Sequence, residues 1–132
     1  MMIVVPDEDL YEQGYWPSLF NSDHKTTFAV DKQQSWSPVS HNVAHLARTL
    51  QEAEVLAIRL QDDGYDRTLL IPGAWPRWLA KLCYILVFRI DYYLRSAWTS
   101  AALRTVCRRL KLPIDQTLGD AAAQIILVAR KT

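Results

Sequence analysis

The chain has 132 residues, of which half are hydrophobic and 22% are charged, and it contains only four glycines. This length is typical of one domain, and the composition argues against long disordered segments and a repetitive fibre. We expect a single domain over residues 1–132. An irregular, aromatic-rich segment of strands and loops should occupy residues 1–36, and a helical core with one or two strands should occupy residues 37–132.

The net charge of +1 conceals an uneven distribution of charge along the chain. Residues 1–66 carry eleven acids and four bases, a net charge of −7, and residues 67–132 carry eleven bases and three acids, a net charge of +8. Such a division can indicate a basic surface that binds an anionic partner. It can also mean that the two halves pack together and neutralise each other, which we favour in a chain this short.

The sequence predicts a cytoplasmic protein without membrane insertion. Residues 1–6 are apolar but lack the basic start and the length of a secretory signal. The longest apolar run, residues 82–88, is far shorter than the roughly 20 residues of a membrane-spanning helix. Cys83 and Cys107 lie in apolar, helix-like contexts, which are typical of free thiols in a reducing compartment.

Four segments are predicted to be strands. Residues 3–5, 26–30 and 68–71 are rich in β-branched and apolar side chains, and proline follows the first and third of them. Residues 125–128 are expected to form a C-terminal strand beside the one at 68–71, after a short helix that Asp115 caps.

The pattern between Ser37 and Gly64 predicts a long helix over 38–63. Ser37 can cap its N-terminus, Pro38 suits its first turn and Gly64 suits the residue just past its end. Apolar residues recur within it at steps of three and four, which is the period of a helix that buries one face. They are Val39, Val43, Leu46, Leu50, Ala53, Ala57 and Leu60.

A second helix is predicted over 76–94. It is apolar or aromatic almost all round, with Tyr84, Phe88 and Tyr92 on the reverse face. A buried strand over 82–88 is the alternative, because a run of that length does not distinguish the two. The face assigned to the core consists of Leu79, Leu82, Cys83, Leu86, Val87, Ile90, Tyr93 and Leu94.

A third helix is predicted over 99–110. Together these elements predict an α+β fold, a small mixed sheet of about three or four short strands packed against three or four helices in a single pair of layers. We find no internal repeat or long linker in the sequence.

Aromatic residues give the first candidate site. Tyr84, Phe88 and Tyr92 of the second helix, with Trp16 from the N-terminal segment, are candidate partner-binding residues because Tyr and Trp are enriched in interface cores. The partner would be a second copy of the chain, giving a homodimer, or another protein. The alternative is an aromatic core in which the N-terminal segment covers the helix.

Basic residues on the third helix give the second candidate site. Arg104, Arg108 and Lys111 lie on one flank and could bind an anion or a nucleic-acid backbone. Cations near the C-terminus of a helix also stabilise it, and this flank could pair with the acidic half of the chain.

Histidines give the third candidate site. His41 and His45 are one helical turn apart and could bind a metal ion, with His24 as a third ligand, in a small metal- or ligand-binding enzyme with a pocket near these residues. However, Asn42 stands where a zinc protease would have its glutamate. Solvated histidines near a helix N-terminus are the alternative.

The acidic group Asp7, Glu8, Asp9 and Glu12 could supply oxygen ligands to Mg²⁺ or a pair of carboxylates for acid–base chemistry. Its spacing matches no calcium loop. We expect a solvated acidic turn after a strand.

No serine lies in a glycine-flanked elbow, and the glycines are too far apart for a phosphate-binding loop. We therefore predict no cofactor and hypothesise a non-enzymatic binding or regulatory module that acts through protein–protein contacts. A nucleic-acid-binding accessory protein is the first alternative, and the small enzyme is the second.

Overall fold

The structure is a computed structural model that describes residues 1–70, 73, 75–94, 97–118 and 121–132. Within these residues it contains two β-sheets, three α-helices and shorter helical turns. The predicted α+β class is therefore confirmed.

The larger sheet is antiparallel and joins both ends of the chain. Strand β5 (Gln124–Lys131) lies between β1 (Met2–Pro6) and β4 (Ala53–Gln61). Ile125 and Leu127 of β5 are buried, and they pack with the short helix described next. The strands predicted near the two ends of the chain are confirmed, but β5 pairs with β1 and β4 and not with residues 68–71.

The smaller sheet consists of two parallel strands followed by a helix. Strands β2 (Thr27–Ala29) and β3 (Ser40–Asn42) pair in parallel, which confirms the strand predicted over 26–30. Helix α1 (Val43–Arg48) begins directly after β3, and its first turn is capped because the Asn42 side chain accepts a hydrogen bond of 2.8 Å from the amide of His45. Helix α1 covers one face of the larger sheet.

The long helix predicted over 38–63 is wrong, because most of this segment forms β3, α1 and β4. A β-bulge between Val55 and Ala57 inserts one residue into β4. Val55, Ile58 and Leu60 contact the core, whereas Ala57, which belonged to the predicted helix face, is exposed. Pairing with β5 along the whole of β4 determines the conformation instead.

Two shorter predictions are also corrected. Instead of a strand at 68–71 the chain forms a 3₁₀ turn over Arg67–Leu69, and residues 71 and 72 lie outside the described residues. The short helix predicted after Asp115 is a 3₁₀ turn over Gln116–Leu118.

Helices α2 (Arg77–Leu94) and α3 (Ala97–Leu110) confirm the two remaining predicted helices, and residues 82–88 are helical. The start of α2 is anchored by a second core cluster, in which Ala80 is fully buried against Tyr15 and Leu19 of the N-terminal segment. No helix among the described residues is long and apolar enough to span a membrane.

The face of α2 predicted to lie in the core is wrong. Leu82, Leu86 and Tyr93 were assigned to that face, yet they are 49%, 51% and 78% exposed. The side that contacts the rest of the molecule instead carries Ala80 and Tyr84. A helix that is apolar almost all round has no unique inward face in its sequence, so the anchoring residues determine which side is covered.

Candidate functional site

An apolar stripe is exposed along α2. It consists of Trp78, Leu82, Ile85, Leu86 and Tyr93, which we call the outer stripe. These residues are between 38% and 78% exposed. Because successive residues of a helix turn by about 100°, all five lie on one side of α2. Exposed apolar surface that follows one helix face is typical of an interaction site.

A ladder of aromatic rings runs along an adjoining side of α2. The ring of Tyr84 lies 4.9 Å from Phe20 and 6.1 Å from Phe88, and Phe88 lies 6.4 Å from Tyr92. Phe20 covers Tyr84, which is half-buried, whereas Phe88 and Tyr92 are 44% and 55% exposed. Trp16 is half-buried in the N-terminal segment. Tyr84 is therefore partly covered within the chain, whereas Phe88 and Tyr92 are more exposed.

The aromatic and basic candidates meet in a cleft of about 620 Å³ between α2, α3 and the two 3₁₀ turns. Tyr84 and Phe88 line one wall, and Arg104 and Arg108 line another. Lys111, which is exposed just past the end of α3, is not a lining residue. Two residue sets that the sequence suggested separately thus belong to one concave surface.

The charges of this cleft are partly neutralised within it. Arg108 donates a hydrogen bond of 2.7 Å to the carboxylate of Asp66. Hydrogen bonds from Thr68 and from Arg108 lower the pKa of Asp66. Gln116 fixes the backbone of Asp66, because its side chain accepts from the Asp66 amide at 2.8 Å and donates to the Asp66 carbonyl at 3.0 Å. The cation of Arg108 is therefore already paired.

The acidic group near the N-terminus is buried, so the expected solvated turn is wrong. Residues Glu8–Glu12 form one π-helical turn, in which Glu8 and Glu12 are 0% and 1% exposed. Asp7 caps this turn by accepting hydrogen bonds from the amides of Asp9 and Leu10. Of the four acids, Asp9 is the one with a solvent-accessible side chain.

The carboxylate of Glu8 is stabilised by converging donors. Thr27 donates at 3.0 Å, Ser35 at 2.7 Å and Lys32 at 3.1 Å. Burial alone would raise the pKa of Glu8, but hydrogen bonds from Ser40, Ser35, Lys32 and Thr27 outweigh burial and lower the pKa below its usual 4.5. These bonds connect the π-helical turn to β2 and to the loop that follows it.

This arrangement makes the contribution of Glu8 to stability depend on pH. Because its pKa is lower in the folded state, the contribution is present above about pH 4.5 and is lost as pH falls further. We therefore expect the difference in unfolding free energy between the wild type and Glu8→Gln to shrink as pH is lowered from 7 to 3. Urea unfolding at a series of pH values measures it, and a difference that stays constant with pH would contradict the assignment.

The second buried carboxylate, that of Glu12, pairs with His24. Oε1 of Glu12 lies 2.6 Å from Nδ1 of His24, and the buried Oε2 of Glu12 has no hydrogen-bond partner among the described residues. His24 lines a cavity of about 480 Å³ together with Tyr11 and Thr117. Burial raises the pKa of Tyr11 to about 12, which keeps its hydroxyl neutral. Since Glu12 engages Nδ1, Nε2 of His24 is the nitrogen left for other contacts.

The three histidines are not brought together as a ligand set. His24 pairs with Glu12, whereas the ring of His41 lies 5.8 Å from Phe28 and His45 belongs to α1. Among the described residues, no three His, Cys, Asp or Glu side chains form a group that could hold a metal ion.

No protein-family model matches the chain, and no curated protein or solved structure is significantly similar to it.

Proposed function

We propose that this chain is a non-enzymatic binding module of the cytoplasm that forms a homodimer through α2. The observation that carries the proposal is the outer stripe, which is exposed along most of the helix. The free thiols of Cys83 and Cys107 are consistent with a reducing compartment. Tyr92, at the far end of the aromatic ladder, extends the same apolar surface.

The spacing of the outer stripe favours a second copy of the chain as the partner. With Arg89, which lies on the same side, the stripe occupies positions 78, 82, 85, 86, 89 and 93. The successive steps are four, three, one, three and four, so the pattern is the same in both directions. A two-fold axis between positions 85 and 86 would therefore place two antiparallel copies of α2 in register.

This register produces complementary contacts. Trp78 of one copy would lie opposite Tyr93 of the other, at both ends of the contact. Leu82 would lie opposite Arg89, whose aliphatic stem can cover apolar surface while its guanidinium stays in water. The centre of the contact would contain only Ile85 and Leu86 from each copy.

Aromatic residues supply about half of the surface that a dimer requires. Trp78, Tyr93 and Tyr92 are 69%, 78% and 55% exposed. With about 200 Å² for a buried ring, these three side chains offer roughly 400 Å² per copy. A standard interface buries about 800 Å² per partner. The aliphatic residues of the outer stripe supply much of the remainder.

Cross-linking tests this arrangement directly. In a background in which Cys83 is replaced by alanine, we expect Ile85→Cys to give a covalent dimer with a short bismaleimide, because helices that pack together have axes about 8–10 Å apart. The native Cys107 is buried and should not react.

The matched control is Leu110→Cys, since Leu110 is 52% exposed on α3 but lies outside the outer stripe. It should give no covalent dimer under the same conditions. Equal cross-linking of the two variants, or none at position 85, would contradict an α2-to-α2 interface.

A further inference from the structure

The cleft between α2 and α3 has the dimensions of a small-molecule site. Its volume of about 620 Å³ lies within the range of about 300–1,000 Å³ that is usual for ligand pockets. It lies on the side of α2 that carries Tyr84, away from the outer stripe. An occupant of the cleft is therefore independent of the proposed dimer.

One wall of the cleft is suited to a planar ring. Tyr84 and Phe88 have ring centroids 6.1 Å apart, and Phe20 packs edge-on against Tyr84 at 4.9 Å and so limits its movement. Val87 and Leu103 add apolar lining next to these rings. A flat aromatic group could stack on this wall and bury its faces.

Apart from the Arg108–Asp66 ion pair, the charged lining residues of the cleft are one cation and one anion. Arg108 and Asp66 neutralise each other, whereas Arg104 and Asp115 form no ion pair among the described residues. Oδ1 of Asp115 accepts hydrogen bonds from the amide and the hydroxyl of Thr117, which fix the carboxylate in place. Its Oδ2 accepts no hydrogen bond within the described part of the chain.

We propose that this cleft binds a small aromatic zwitterion, which is the chemistry of a free aromatic amino acid. The ring stacks on Tyr84 and Phe88, the carboxylate pairs with Arg104, and the ammonium group pairs with Oδ2 of Asp115. A ligand with only a negative charge would leave Asp115 unpaired beside it, and one with only a positive charge would leave Arg104 unpaired.

A set of four related probes separates these contributions. L-tryptophan carries the ring and both charges, 3-indolepropionate lacks the ammonium group, tryptamine lacks the carboxylate, and glycine lacks the ring. Titration of the purified chain by calorimetry should show that L-tryptophan binds at least about tenfold more tightly than each of the others, since each loses one contact. Binding of tryptamine or 3-indolepropionate as tight as that of L-tryptophan would overturn the proposal.

Variants test the two charged residues. Arg104→Gln and Asp115→Asn should each weaken L-tryptophan binding at least about tenfold, and asparagine keeps the oxygen that accepts from Thr117. Arg109→Gln is the control, because Arg109 is the neighbour of Arg108 on α3 but does not line the cleft. Equal effects of Arg104→Gln and Arg109→Gln would overturn the proposal.

Leu86→Asp alters the outer stripe and not the cleft, so it should leave L-tryptophan binding unchanged. This variant therefore distinguishes a loss of dimerisation from a loss of ligand binding.

Discussion

Replacing Glu8 by alanine is expected to lower the free energy of unfolding by about 3 kcal/mol or more. The side chain is fully buried, and it accepts hydrogen bonds from Thr27 and Ser35 and pairs with Lys32. Alanine would leave these donors without their acceptor. Such unsatisfied buried groups are among the most destabilising results of a single substitution.

Asp9→Ala provides the control for this experiment. Asp9 also pairs with Lys32, at 2.6 Å, but its side chain is 42% exposed. Because exposed ion pairs contribute little, we expect a loss below about 1 kcal/mol. Chemical unfolding of both variants at pH 7 measures the two values, and similar losses would show that Glu8 does not organise this part of the fold.

Leu86→Asp is expected to convert the dimer to a monomer while the fold is retained. Leu86 is 51% exposed within one chain, so aspartate at this position costs the isolated fold little. In the proposed dimer, however, the two-fold axis brings both carboxylates to the centre of an apolar contact. Two like charges that lose water there should weaken association at least about 100-fold.

The control for Leu86→Asp is Leu110→Asp, which introduces the same charge at an equally exposed position of α3. It should remain dimeric. Circular dichroism of both variants should match the wild type, since neither side chain is buried. A dimer that persists in Leu86→Asp would move the interface away from the outer stripe.

The sequence predicted the elements whose signals are local. The strands near the two ends of the chain and the helices α2 and α3 are each visible from residue type and period alone. The helix predicted over 38–63 failed because apolar residues at helical spacing also occur in a segment that forms a strand, β4. Whether this segment forms a helix or a strand depends on pairing with β5, whose residues lie more than 60 positions further along the chain.

The buried carboxylates could not be predicted for a similar reason. Charged residues after a strand are usually solvated, and the donors to Glu8 are 19 to 27 residues away in the sequence. The one local indication of burial is the spacing of Glu8 and Glu12, which lie on the same helical turn after Asp7. This indication can be recognised only when the positions of the polar partners Thr27, Lys32 and Ser35 in the fold are known.

The cleft between α2 and α3 was not predicted from the sequence. The sequence identified Tyr84 and Phe88 as one set and Arg104 and Arg108 as another, and the structure places all four around one cleft. The position of α2 relative to α3 cannot be read from the periodicity of either helix, because it depends on contacts between residues far apart in the sequence. One such contact is the hydrogen bond of 3.0 Å from Trp75 to the carbonyl of Leu110, which joins the start of α2 to the end of α3.

The N-terminal segment packs against one side of α2. Tyr15 and Leu19 pack on Ala80, and Phe20 packs on Tyr84, so this segment holds that side of α2 near its start. The opposite side, which carries the outer stripe, is exposed in the part of the chain that the structure describes. The fold thus orients the helix and leaves its apolar side available to a second copy.

Sedimentation equilibrium of the purified wild-type chain at low and high salt tests this account most directly. Because the proposed interface is apolar and α2 is basic, we predict a dimer at both salt concentrations, with association unchanged or stronger at high salt. A monomer at both concentrations, or a dimer that dissociates as salt is added, would contradict an interface formed by the outer stripe.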